Sequence, residues 1–361
     1  MNSIAGAFSR SYAEARGKFL QAAHSAGLAV QSHYHPRPGR DGESLAMDVV
    51  REGPADARHL LVLSSACHGV EGYCGSGVQV HALGDAQWRQ VARDAGVAVL
   101  YIHALNPYGF SHVRRVTHEN VDLNRNFADF NQPLPVNSGY REVQPMLLPA
   151  VWPPDADTAA AVSGFIAQRG MPAFQAAVSG GQYEFADGLF FGGRGPTWSH
   201  LTLRNVLREH GRACQHLAWI DLHTGLGPSG VGERIFACAD DQAALARARA
   251  WWGQGITSIY DGSSTSAPLT GLMWMAAYQE CAQAEYTGIA MEYGTVPMDK
   301  VMHALRGDHW LALHPEATEA QRRQIKQDLM DAFYVDTDTW RARIVEQAQE
   351  ALHQAVRGLA G

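Results

Sequence analysis

Four short runs along the chain are apolar almost without interruption: His59–Ser65 (HLLVLSS), Val97–Ala104 (VAVLYIHA), Leu217–Leu222 (LAWIDL) and Thr287–Glu292 (TGIAME). Runs of this length, rich in Val, Ile and Leu and bounded by Gly or Pro, read as strands covered on both faces. Two further strand-like runs, Leu28–Tyr34 and Ser44–Arg51, flank the turn-forming stretch PRPGRDG. Between the runs the apolar spacing becomes helical: Ser9–Ala26, Gly75–Ala95, Ala156–Gln168, His200–His210, Asp241–Trp252 and most of the tail from Glu316 to Leu359. Strands alternating with helices predict an α/β fold, a mixed and mostly parallel twisted sheet with helices on both faces. Residues 128–200 are rich in Pro, Gly and aromatics and are expected to form long loops plus one helix. Residues 316–361 are expected to form a helical extension. No repeat and no linker divides the chain, so residues 1–361 are expected to form one domain.

Composition narrows the function classes. Hydrophobic residues make up 46% and charged residues 18%, which excludes a disordered or coiled-coil protein. Lys+Arg is 29 against Asp+Glu 36, a net charge of −7, which argues against a nucleic-acid-binding surface. The cysteine count, 5, is odd and shows no paired framework, and this favours a reducing compartment. The segment MNSIAGAFSRSYAEARGKFLQAA lacks the apolar core of a secretory signal. No stretch approaches ~18 apolar residues, so no membrane span is expected. A cytoplasmic location is the resulting expectation.

The polar residues that end the apolar runs carry the candidate chemistry. After HLLVLSS comes Ala66-Cys67-His68-Gly69-Val70-Glu71; after VAVLYIHA comes Leu105-Asn106-Pro107; after LAWIDL comes His223-Thr224-Gly225; and TGIAM ends in Glu292-Tyr293-Gly294. In open α/β sheets ligands bind outside the carboxyl ends of the strands. His68 and Glu71, three apart, can lie on one side of a single turn. An imidazole and a carboxylate suit zinc, and a third ligand from elsewhere, His223 being the natural candidate, would leave a position open. The stretch Val121-Asp122-Leu123-Asn124-Arg125-Asn126-Phe127 packs four polar side chains between apolar ones, which is costly unless each has a partner. Asp122 can accept from the free N–H of a metal-binding histidine. Arg125 offers a planar fork suited to a carboxylate, with Asn124 as a second donor. The pair Arg114-Arg115 could place one cation near a developing oxyanion; a solvated position is the simpler reading of Arg114.

These motifs, in this order, resemble the zinc carboxypeptidases of the carboxypeptidase A-like clan: His-x-x-Glu (His68, Glu71), Asn-Pro-x-Gly (Asn106, Pro107, Gly109), a following Arg, Asp-x-Asn-Arg-Asn (Asp122 to Asn126), His223 after a strand and a final Glu292. The resemblance covers about residues 55–295. It implies one zinc ion per chain on His68, Glu71 and His223, with Asp122 behind the ligands. It implies Glu292 as general base, Arg115 polarising the scissile carbonyl, and Asn124 with Arg125 gripping a terminal carboxylate. The implied activity is hydrolysis of an amide bond next to a free carboxylate, in a small peptide or an N-acyl amino acid. Asp-Leu-His-Thr and Glu-x-Gly are closer to the aspartoacylase and succinylglutamate desuccinylase branch, whose members remove an acyl group from an amino acid. The tyrosine that the peptidases place over the substrate has no clear counterpart, although Tyr260 and Tyr278 precede Glu292.

Other features compete for attention. Gly225-Leu226-Gly227-Pro228-Ser229-Gly230 matches a dinucleotide-binding fingerprint, but VGERIFACA after it reads as a strand, and a pyrophosphate needs a helix N-terminus. His33 and His35 share one face of a strand-like run. Cys67 is expected to be a small buried residue. His103 fits a place behind the site or in the core equally well, and Tyr183 is a candidate substrate contact. No G-x-S-x-G occurs, which removes the nucleophile-elbow hydrolases. A non-catalytic descendant of the fold would be expected to lack a ligand or the base; this chain keeps them all.

Overall fold

The computed structural model describes residues 3–361. Seven strands form one mixed sheet: β1 (Val30–Pro38), β2 (Ser44–Glu52), β3 (His59–Ser65), β4 (Val97–His103), β5 (His216–Thr224), β6 (Gly232–Phe236) and β7 (Glu285–Tyr293). Their spatial order is β1-β2-β4-β3-β5-β7-β6. Strands β4, β3, β5 and β7 are mutually parallel and buried, as their unbroken apolar runs require. Antiparallel strands close both sides: β2 beside β4, then β1, and β6 beside β7. Helices pack around the sheet, and Gly72–Gly84 and Asp338–Ala360 both lie against β3 and β5.

The chain leaves β3 for β4 on one side, and β5 lies on the other side of β3. Successive connections therefore diverge between β3 and β5, which opens a crevice at their carboxyl ends. Ala66 and Ala104, just past β3 and β4, hold φ of 57° and 62°. Such left-handed turns in residues with a Cβ cost energy and persist only where surrounding contacts impose them. Here the turns are held by backbone bonds from Leu105 N to Ser65 O (3.0 Å) and Asn106 N to Ala66 O (2.8 Å). Gly75 seats the helix Gly72–Gly84 on the sheet: a Cβ there would lie 2.7 Å from Ser65 Cβ.

Several sequence expectations need adjusting. The helix expected over Gly75–Ala95 is two helices, Gly72–Gly84 and Ala86–Asp94, because Asp85 turns extended and caps the second with its carboxylate. The helical tail is likewise broken into Glu319–Phe333 and Asp338–Ala360. Residues 128–200 hold three helices before the one that starts at Trp198: Ser138–Leu147, Ala156–Arg169 and Met171–Ser179. A further helix, Met298–Leu313, had no sequence counterpart. All five cysteines are free and buried. Among the described residues no helix is long and apolar enough to cross a membrane.

Candidate metal centre

His68 and Glu71 lie in the turn that leaves β3, and His223 lies near the end of β5. The turn is tied down by Gly69 N and Val70 N, which donate to the carbonyls of Arg115 (3.0 Å) and Arg114 (2.9 Å). Asn106 holds the same loop: its Oδ1 caps the short helix Pro107–Ser111 at Gly109 N (2.9 Å), and its Nδ2 donates to Arg115 O (3.2 Å). Gly69 must lack a side chain because the loops touch; a Cβ on it would meet Gly109 C at 2.1 Å.

The three side chains converge. His68 Nδ1 lies 2.8 Å from Glu71 Oε1, His223 Nδ1 lies 3.0 Å from Glu71 Oε2, and the two Nδ1 atoms are 3.3 Å apart. Two nitrogens bound at ~2.0–2.1 Å to one tetrahedral zinc sit about 3.3 Å apart, so the donor set fits the ion. Each imidazole turns its far nitrogen to an aspartate: His68 Nε2 is 3.3 Å from Asp122 Oδ1, and His223 Nε2 is 2.6 Å from Asp221 Oδ2. Carboxylates behind metal-binding histidines fix the tautomer that leaves the inner nitrogen free to ligate.

Sequence reasoning assigned Asp221 no role. It stands two residues before His223 on β5, and side chains two apart on a strand share a face. Asp221 pairs in register with Ser64 on β3, whose hydroxyl also donates to it, and Trp219 Nε1 donates to Ser64 Oγ at 2.7 Å. Cys67, Asp221 and His223 form a second cluster of potential ligands. The cavity, however, is lined by His68, Glu71 and His223, and Cys67 and Asp221 are not among its lining residues. Burial pushes the Cys67 thiol well up, as do nearby carboxylates, so it stays protonated.

Arg115 lies beside the three. Its Nε donates to Asp122 Oδ2 (2.9 Å) and Nη1 to Glu71 Oε1 (3.2 Å), while Nη2 lies 2.7 Å from His68 Nε2 and Phe190 lies under the guanidinium. Arg114 is not solvated as its sequence setting suggested: it donates to the buried Asp308 at 3.0 Å. Asp122 also caps the turn Leu123–Arg125 by accepting from Asn124 N (3.0 Å). Asn124 accepts from Met273 N at 2.9 Å. Arg125 donates to Ser179 O through Nε (3.1 Å) and Nη2 (2.7 Å), and through Nη1 to Asn124 O (2.8 Å). A guanidinium has five donors, so Arg125, which lines the cavity, keeps two. Gly271 must lack a side chain here, since a Cβ would meet Arg125 O at 2.1 Å.

Glu292 on β7 pairs in register with His223 on β5, which puts both side chains on one face. Its Oε1 accepts from Leu226 N at 3.1 Å. Burial, reinforced by the charge of Glu71, pushes the Glu292 carboxyl up to about 8. A divalent cation at Glu71 would draw it down again. Burial works against the charged forms of Glu71 and Asp122 too, but His68 and His223 hold Glu71 low, and Arg115 and Arg125 hold Asp122 well below the carboxylate range. Burial opposes the charge on His223 as well, and Asp221 overrides it, so this imidazole is held well above its ordinary range.

The remaining candidates fall outside the centre. His103 packs on Phe19 and lies 2.9 Å from Ser76 Oγ through Nε2. Tyr183 supports Arg125 from behind, donating to its carbonyl at 2.7 Å. Tyr260 and Tyr278 bond to backbone at Cys238 and Ala239, and no tyrosine is among the residues lining the cavity. The glycine-rich loop after β5 leads into β6 and not into a helix, so no helix N-terminus is available for a phosphate. His33 and His35 lie on β1, where His35 packs against Trp198 and His118.

Residues 8–347 match the family described as Protein of unknown function (DUF2817). The chain belongs to this family. Its fold is shared with thrombin activatable fibrinolysis inhibitor, at a TM-score of 0.51 and 12% identity over 97% of this chain and 74% of that one. It is also similar to carboxypeptidase A from Helicoverpa armigera (TM-score 0.48, 13% identity, 92% of this chain and 77% of that one). A metallo-carboxypeptidase from Burkholderia cenocepacia matches at TM-score 0.42 and 12% identity, over 92% of this chain and 68% of that one. No curated protein matches the sequence. The fold of this DUF2817 chain is thus the zinc carboxypeptidase-like α/β fold expected from its ordered motifs.

Proposed function

We propose that the protein is a zinc-dependent hydrolase of an amide bond next to a free carboxylate. The observation that carries the reading is the donor set at the crevice: two Nδ1 atoms 3.3 Å apart with Glu71 beside them, and an aspartate behind each imidazole. His68, Glu71 and His223 would hold the ion, and a zinc there would supply Lewis acidity to the substrate carbonyl and to an attacking water. Glu292, beside His223, takes the proton of the water and passes it to the leaving nitrogen. Arg115 faces the same space, and the donor that now reaches Glu71 becomes available to the developing oxyanion once Glu71 is a ligand. The two spare donors of Arg125, with the amide of Asn124, orient the substrate carboxylate. Small peptides and N-acyl amino acids both meet this description.

Elemental analysis of the untagged protein tests the reading. About one zinc per chain, lost in His68→Ala, together with release of an amino acid from peptides or N-acyl amino acids, is expected. Absence of zinc after reconstitution would sink it.

A further inference from the structure

Away from its polar end the cavity, about 330 Å³, changes character. Val162 and Ile166 of the helix Ala156–Arg169 line it, as do Phe174 and Val178 of Met171–Ser179 and Val301 and Leu305 of Met298–Leu313. The helix Ala156–Arg169 has no fully buried residue. Val162 and Ile166 stand four apart, so they form one apolar stripe. A surface helix normally covers such a stripe with the core. Here Val162 and Ile166 are half-buried: they pack against the core and also line the cavity, leaving part of their apolar surface for a ligand to cover.

Polar side chains are a minority along these walls: beside Ser179 they are Gln175, Ser266, Asp299, His303 and Arg306. Gln175 is committed to Thr265 O (2.8 Å), and Arg306 braces Met298–Leu313 by donating to Leu147 O (2.7 Å) and Met146 O (3.0 Å). The carbonyl of Ser179 already accepts from Arg125. A peptide laid here would bring an N–H and a C=O with every residue, and each buried without a partner costs roughly tenfold or more in affinity. An alkyl chain asks for no partner, and a mostly apolar cavity with a few polar groups at one end suits it.

We infer that this half of the cavity receives a long aliphatic or arylalkyl acyl chain, so that the substrate is a long-chain N-acyl amino acid with its carboxylate at Asn124 and Arg125. The inference rests on the amide-hydrolase reading above and chooses between its two substrate classes. The reaction balances with water alone. A C–O bond forms at the acyl carbon, the C–N bond breaks, and a proton from the water goes to the departing amine. A fatty carboxylate and a free amino acid leave.

Two readouts test it. Calorimetric titration of the holoenzyme with 1-butanol, 1-hexanol and 1-octanol probes the apolar half without an amide. Affinity is expected to rise about fourfold per added methylene. Hydrolysis of N-acetyl, N-hexanoyl and N-octanoyl derivatives of one amino acid, beside dipeptides with the same C-terminus, probes the chemistry. kcat/KM is expected to climb at least about a hundredfold from acetyl to octanoyl. Ile166→Asp, at a half-buried position, should cut the octanoyl-to-acetyl ratio at least about tenfold, and Val162→Asn serves if that variant folds poorly. Octanol binding no tighter than butanol, or kcat/KM flat in chain length or highest on dipeptides, overturns the substrate class while the hydrolase stands. Length-dependent alcohol binding without cleavage of any amide by zinc-loaded protein overturns the hydrolase reading instead.

Discussion

The two halves of the cavity are built on opposite plans. At the reactive end the charged side chains are buried, Arg115 partly so, and held by named partners, and β3, β5 and β7 fix the positions through their register. At the apolar end a helix with no fully buried residue offers a half-covered apolar stripe. Precise chemistry needs side chains locked by packing and outer hydrogen bonds, whereas a chain-binding surface needs only apolar area of suitable shape. The first plan leaves little freedom for substitution, and the second leaves a great deal.

The contrast can be broken at the reactive end first. Glu292→Gln should lower kcat by roughly 10²–10⁴-fold while elemental analysis still finds the metal. Retention of near-normal turnover would remove Glu292 from its role. Next comes metal itself: chelation should lower the melting temperature and zinc restore it, a stabilisation of ~4 kcal/mol at a thousandfold excess over Kd, whereas His68→Ala should not respond. Asp221→Asn keeps the size of the side chain but weakens its acceptance from His223, and zinc affinity should fall about 10–100-fold. An unchanged affinity by competition titration would make Asp221 a purely structural residue.

The smallest effect lies where the two halves are joined. Asp308 on the helix Met298–Leu313 receives Arg114 from the reactive-side loop and Lys326 from Glu319–Phe333. Burial favours its neutral form, but the two cations outweigh burial and hold the carboxyl below its ordinary range. A depressed folded value means the ion cluster stabilises the fold above the ordinary carboxylate range, and that contribution is lost as pH falls from there through the lower folded value. Asp308→Asn should therefore be less stable at neutral pH, and its urea midpoint should fall less between pH 7 and about 2. Parallel pH curves for both proteins would count against this.

The same contrast explains what the sequence made legible. β3 shows as HLLVLSS because a strand covered on both faces is apolar throughout. His68, Glu71, His223 and Glu292 could be picked out because each follows or ends such a run. Ser138–Leu147 stayed hidden behind Pro145 within the helix, and Met171–Ser179 behind Gly170 and Pro172. Met298–Leu313 hid its core face by burying Asp308 and His309 among apolar residues. Those two look like solvent-facing residues until their partners, which come from distant parts of the chain, are known. Asp221 was overlooked although strand periodicity alone places it beside His223.

The five buried thiols bear on which ion reaches the site. Soft ions such as Cu(I) prefer thiolate, and the folded chain offers them no cysteine thiol at its surface. The donor set of His68, Glu71 and His223 is nitrogen and oxygen, which suits borderline divalent ions. Among these, Cu(II) binds such donors more tightly than zinc and prefers a tetragonal arrangement. The metal found in the isolated protein therefore records supply and coordination geometry, not sulfur affinity.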